Sequence, residues 1–195
     1  MIYKNTKTLI DFSQQKKIKI LLLITGSIAA IRMPLLVSHL AKNNFEVKCV
    51  LTKNAEKIVQ PLSLSILSRN NCILDDDQWL NRSPSPLHIN LSEWADILII
   101  APLTATTLSK WVTGNADGLV SSILIANQKP LIVAPAMNNN MWLNAAVQYN
   151  FQKIRTYPNV LPITPNEGLL ACDQFGIGKI PTNEDIILAL QFLLI

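Results

Sequence analysis

Three side chains in separate segments have the chemistry to act on a small molecule. His88 lies in Pro86-Leu87-His88-Ile89-Asn90-Leu91, after a Pro-containing loop. A His there can serve as a general base. Cys172 lies in the stretch Gly168-Leu169-Leu170-Ala171-Cys172-Asp173-Gln174-Phe175-Gly176. A thiol in a Gly-flanked loop is more open to reaction than one on a strand. Asn138 heads a run of three Asn after Pro135-Ala136-Met137. An amide offers both donor and acceptor, which suits a carboxylate or amide ligand. The same run reads equally as a polar helix start, with Met141 and Trp142 as core. The remaining candidates read as structural: His39 inside an amphipathic segment, Cys49 on an apolar strand, and Cys72 in packing.

Three further segments could hold an anion. Gly26-Ser27-Ile28 follows an apolar run and precedes small residues. A Gly and a hydroxyl residue opening a helix can present N–H groups to a phosphate. It is not GxGxxG or GxxxxGK[ST], so a single phosphate, as in a mononucleotide, matches better than a dinucleotide or a triphosphate. Thr52-Lys53-Asn54 and Thr104-Ala105-Thr106-Thr107 offer small polar groups that could reach the same phosphate. Each of these segments is also an ordinary turn or helix cap.

The elements that must position these residues follow from the apolar pattern. Continuous apolar runs at 18–25, 45–52, 96–102 and 130–135 read as strands, with 160–163 a fifth. Unbroken runs of Ile, Leu and Val are the habit of parallel sheets, buried on both faces. Helical patterns cover 28–43, 55–68, 104–126 with a break near Gly114, 138–152 and 184–194. Segments 70–86 and 166–181 read as loops. Strands alternating with helices predict a doubly wound parallel α/β sandwich, Rossmann- or flavodoxin-like, in one domain. Ligands in such sheets bind at the carboxyl ends of the strands.

Composition narrows the class. The chain has 195 residues, a net charge of +4, 49% hydrophobic and 15% charged residues. That excludes intrinsic disorder and leaves apolar surface for a subunit interface. Lys4, Lys7, Lys16, Lys17 and Lys19 gather near the N-terminus, and no Arg-rich stripe points to nucleic acid. No apolar run approaches a membrane span, and the N-terminus lacks a signal-peptide core. Three widely spaced Cys form neither a disulfide framework nor a zinc pattern and suit a reducing cytoplasm. We expect a leader over 1–17 and one domain over 18–195.

In order along the chain stand GSIAA at 26–30, HINLSEWAD at 88–96, APLTATTLSKW at 101–111, NADGL at 115–119, PAMNNNMW at 135–142 and LLACDQFGIGK at 169–179. Together these resemble the flavin-dependent cysteine decarboxylases. The resemblance implies a doubly wound parallel sheet that binds FMN, assembled as a trimer with sites between subunits. It implies that Gly26, Ser27, Ile28, Thr52, Asn54, Thr104, Ala105, Thr106 and Thr107 hold the cofactor, with Ala136 and Met137 near its ring. It makes His88 the base, Cys172 the acid of a reductive second step, and Asn138 and Met141 substrate contacts. The implied reaction converts 4′-phospho-N-pantothenoylcysteine to 4′-phosphopantetheine. Alternatives within the family are oxidative decarboxylation of a peptide C-terminal cysteine and a non-catalytic flavin-binding regulatory subunit. The sequence departs from the family pattern at Thr106, where Asn or Asp is frequent, and at Asp173, where Gly is frequent. The ligase domain that follows in many bacterial relatives has no counterpart here, so no ligase activity is expected.

Overall fold

The computed structural model of the chain describes residues 17–80 and 84–194. Almost all of the 1–17 leader therefore lies outside the described residues.

Strand β1 (Lys19–Ile24) is buried along all but its first residue. Side chains alternate across a strand, so a run buried at every position must feed two cores. Ile20, Leu22 and Ile24 enter one core, together with α1 (Met33–Lys42) and α9 (Asn183–Leu193). Leu21 and Leu23 enter the other, with α4 (Leu87–Trp94), α5 (Ala105–Val112), α6 (Leu119–Ala126) and α8 (Ala145–Ile154). This is the three-layer sandwich that the apolar runs predict.

The main sheet adds β2 (Glu46–Leu51), β3 (Ile73–Leu74), β4 (Ile97–Leu103), β5 (Leu131–Pro135) and β6 (Val160–Pro162). Its order is β3-β2-β1-β4-β5-β6, with every pairing parallel. The chain winds one way from β1 to β3 and the other way from β4 to β6. The crevice between β1 and β4 at their carboxyl ends is the switch point where such sheets take ligands.

Two expected loops contain structure. Within 70–86 lie β3, which pairs with Val50 and Leu51, and the short α3 (Asp77–Leu80). A two-residue edge strand is too short for any periodicity to announce it. Within 166–181, β7 (Asn166–Leu169) and β8 (Phe175–Lys179) form an antiparallel hairpin. Its glycines depress strand propensity, and pairing and docking override them.

Helix bounds also shift. The helix expected from residue 55 starts at Pro61, because α2 (Pro61–Ser68) takes Pro at its first position. Residues Ile28–Arg32 form a 3-10 stretch before α1. The expected 138–152 helix splits into α7 (Asn139–Leu143) and α8 at Asn144. The break near Gly114 occurs as expected, with φ of 72°. Among the described residues no helix is long and apolar enough to cross a membrane.

Candidate active site

The carboxyl ends of β1 and β4 are tied by one buried hydroxyl. Thr25 Oγ1 donates to the Pro102 carbonyl at 2.6 Å and accepts from the Thr104 N–H at 3.0 Å. That sets the spacing of the turns after the two strands. At Gly26 any Cβ would overlap the Asn54 side chain, so the turns after β1 and β2 touch only because residue 26 is Gly. The hydroxyls here also cap their own elements. Ser27 Oγ accepts from the Ala29 N–H at 3.4 Å, and Thr52 Oγ1 from the Ala55 N–H at 3.3 Å. Thr104 Oγ1 accepts from the Thr107 N–H at 3.3 Å and donates to Thr107 Oγ1 at 3.2 Å. The capping reading is thus true of these residues, and a hydroxyl that caps keeps lone-pair capacity for a ligand.

Two clefts open at this edge. The larger, about 480 Å³, lies between the turn after β1, the end of β5 and the β7–β8 hairpin. It brings together Ser27, Ile28, Ala136, Met137, Asn138 and Cys172, and its lining is mostly apolar. The smaller, about 360 Å³, is polar and contains Thr52, Asn54 and Thr107. Thr104, Ala105 and Thr106 form the start of α5 beside it and line neither cleft. Of the expected cofactor residues, Ser27, Ile28, Ala136 and Met137 line the larger cleft and Thr52, Asn54 and Thr107 the smaller, while Gly26 packs against Asn54.

Asn138 is the N-cap of α7. Its Oδ1 accepts from the Met141 N–H at 2.8 Å, which leaves its NH2 group for another partner. Trp142 is buried against Phe151, ring centroids 4.9 Å apart, as a core residue should be. Met141 is 42% exposed and lines neither cleft. Asn139 turns to the hairpin instead and accepts from the Ile177 N–H at 3.1 Å. The sequence reading missed Asn139. The alternating glycines of Phe175-Gly176-Ile177-Gly178 signal a close approach, but their partner cannot be read locally.

Cys172 stands in the connection of the hairpin. The Leu170 N–H donates to the Gln174 carbonyl at 2.9 Å, and the Asp173 N–H to the Leu170 carbonyl at 3.1 Å. Asp173 takes φ of 57°, a left-handed conformation that Asp tolerates better than most side chains. The Cys172 sulfur is exposed, 4.0 Å from Gln174 Oε1. The other two thiols differ. Burial pushes Cys72 up to about 12, with Glu56 and Asp77 adding to it. Cys49 is fully buried and is also pushed well up by burial.

His88 lies in the first turn of α4, half-buried, and its carbonyl accepts from Ser92 Oγ at 2.8 Å. It lines neither cleft. In the smaller cleft both lysines are paired, Lys53 with Asp76 and Lys110 with Asp117, each at 2.7 Å. The bond from Lys110 holds the Asp117 carboxyl below its ordinary range. Asp75 is buried there and accepts from the Leu119 N–H at 2.8 Å, which caps α6.

The model of the Flavoprotein family matches residues 10–193. The phosphopantothenoylcysteine decarboxylase of Mus musculus is 33% identical over 187 residues, which cover 93% of this chain and 90% of that protein. A solved PPC decarboxylase mutant complexed with pantothenoylaminoethenethiol aligns with a TM-score of 0.83 and 33% identity, over 92% of this chain and 99% of the other. The FMN binding protein AtHal3 aligns with a TM-score of 0.79 and 34% identity, over 91% and 97%. The chain also matches coenzyme A biosynthesis bifunctional proteins of Borreliella burgdorferi, Bacillus subtilis and Haemophilus influenzae, and spans 41–42% of their length.

Proposed function

The chain belongs to the Flavoprotein family, and from that membership we propose that it is an FMN-dependent decarboxylase of 4′-phospho-N-pantothenoylcysteine that forms 4′-phosphopantetheine for coenzyme A synthesis. The observation that carries this reading is the larger cleft. There an amide with a free NH2 group (Asn138) and an exposed thiol (Cys172) share one cavity with the apolar end of β5.

The donor set fits FMN. Gly26 lets Asn54 close against the turn after β1, and the hydroxyls of Ser27, Thr52, Thr104 and Thr107, with Asn54, suit one phosphate and a ribityl chain. Ile28, Ala136 and Met137 offer apolar surface for a ring. FMN, when bound, supplies a two-electron acceptor that holds the pair and returns it.

The chain's own groups would do the rest. Asn138 binds the substrate carboxylate through its NH2 group and orients the cysteinyl end. His88 accepts a proton as the C–S end becomes a thioaldehyde. The thioaldehyde serves as electron sink, so CO2 leaves and an enethiolate remains. Cys172 then gives a proton to the enethiolate as it is reduced. The sum is loss of CO2 with no net oxidation.

Because His88 lines neither cleft of its own chain, we take it to complete the site of a neighbouring copy in a homotrimer. Apolar side chains at Leu35, Leu62 and Ile66, each 68% exposed on the packed pair α1 and α2, favour such an assembly. Three free thiols favour a cytoplasmic setting, and residues 18–195 act as the catalytic domain.

The test is mass analysis of the product from 4′-phosphopantothenoylcysteine, with the flavin spectrum recorded on the same sample. Loss of CO2 alone supports the reading. Loss of CO2 and two hydrogens moves the chain to the oxidative class. A yellow protein that leaves the substrate intact overturns the assigned substrate, and a protein that takes up no FMN overturns the whole reading.

A further inference from the structure

We propose that Asn139 is a positioning residue for Cys172, and that it governs how often the second half of the reaction is completed. The inference rests on the decarboxylase reading above.

Cys172 sits on the connection between β7 and β8, so its place over the cleft follows from how β8 is seated. Beyond its pairing with β7, β8 is held by two bonds to the segment that follows β5. The Met137 N–H donates to the Gly178 carbonyl at 3.0 Å, a backbone bond indifferent to side chains. The Ile177 N–H donates to Asn139 Oδ1 at 3.1 Å, a bond that depends on one side chain. The glycines on either side of Ile177 are shaped to this contact. A Cβ at Gly176 would lie 2.7 Å from Asn139 Oδ1, and one at Gly178 would strike the Met137 carbonyl. Asn138 and Asn139 thus divide the work of one turn. Asn138 faces the cleft, and Asn139 fixes the hairpin that brings the thiol to it.

The consequence falls on one step. After CO2 has left, the enethiolate carbon bonded to the amide nitrogen takes the proton of Cys172 Sγ–H. FMN, held by the residues named above, would supply the electron pair and hydrogen that complete the carbon bearing sulfur. The S–H bond of Cys172 breaks as the C–H bond beside the amide nitrogen forms, and the Cys172 thiolate regains its proton from water. Oxidation and loss of CO2 do not use Cys172. A hairpin seated loosely therefore slows only the return step, since proton transfer is sensitive to misplacement on the ångström scale. The enethiol then escapes as product.

The experiment compares the full chain with Asn139→Ala and with Asn139→Asp, which keeps an acceptor for Ile177. All three are loaded with FMN and given 4′-phosphopantothenoylcysteine, and products are weighed by mass spectrometry. Amide hydrogen exchange at Ile177 is followed separately, without substrate or flavin. In Asn139→Ala the share of product two hydrogens lighter should rise about tenfold, the effect of one lost hydrogen bond. Substrate consumption should stay within about twofold, and Ile177 should lose protection. Asn139→Asp should restore both. A wild-type product ratio in Asn139→Ala overturns the proposal, whatever the total rate, as does an Ile177 amide that stays protected. If the unmodified chain leaves the substrate intact, the decarboxylase reading has failed, and exchange at Ile177 still decides whether Asn139 seats the hairpin.

Discussion

The Thr25 hydroxyl bonds the Pro102 carbonyl at 2.6 Å across the switch point of the sheet, and its oxygen takes the N–H of Thr104 as well. Both turns that would meet a phosphate hang from this one buried group. Thr25→Val keeps the shape and removes both bonds, leaving a buried carbonyl and an N–H short of partners. We expect a loss of about 1–3 kcal/mol in urea unfolding, with weaker FMN uptake. Unchanged stability would mean that the two strand ends are held by packing alone.

Cys172→Ser should separate the two half-reactions. The oxidation and the loss of CO2 should continue, while the product should be the enethiol, two hydrogens lighter than phosphopantetheine. Mass analysis decides it, and unchanged formation of phosphopantetheine would remove Cys172 from the role of acid.

The three thiols should fall into two reactivity classes. Cys172 is exposed, whereas Cys72 is pushed up to about 12 and Cys49 is raised and fully buried. At pH 8 the thiolate share of Cys72 is about one part in ten thousand. A thiol reagent should label one Cys rapidly in the native protein and the other two only after denaturation. Rapid labelling of two would show that the β2–β3 edge opens readily.

Asp185 couples the hairpin to the last helix. Its Oδ2 accepts from the Thr182 N–H at 2.8 Å and from Asn166 Nδ2 at 3.0 Å, and these bonds hold its carboxyl below the ordinary range. A folded-state value below the unfolded one means that the stabilisation is fully present above the unfolded value of about 4 and is lost as pH falls through the folded value. Asp185→Ala should lower the urea midpoint at pH 7, and the charge-dependent part of that difference should shrink steadily below about pH 4. A difference that keeps its full size down to pH 2 would show that the ionised carboxylate contributes nothing to it.

Much of the fold was legible in the chain itself. Every residue of β4 and β5 is buried, as is every residue of β1 after Lys19, and unbroken apolar runs of that length have few other homes than a sheet covered on both faces. The turns after those runs carry Gly26, Ser27, Thr104 and Asn138, so the carboxyl edge and its polar groups followed from strand direction alone. The elements that escaped notice carry little local signal. β3 has two residues and owes its existence to Val50 and Leu51 beside it, and the hairpin is rich in Gly and is stabilised by pairing and by Asn139.

Three adjacent Asn are chemically alike, and only the packing of β8 separates the one that caps α7 and faces the cleft from the one that seats the hairpin. In the same way the sequence set His88 and Cys172 side by side as candidates. The path of α4 decided that they do not share a cavity within one chain. Residue type and apolar period are local properties and can be read along a chain, whereas which amide meets which N–H depends on contacts between residues 38 positions apart, and these exist only once the sheet has brought them together.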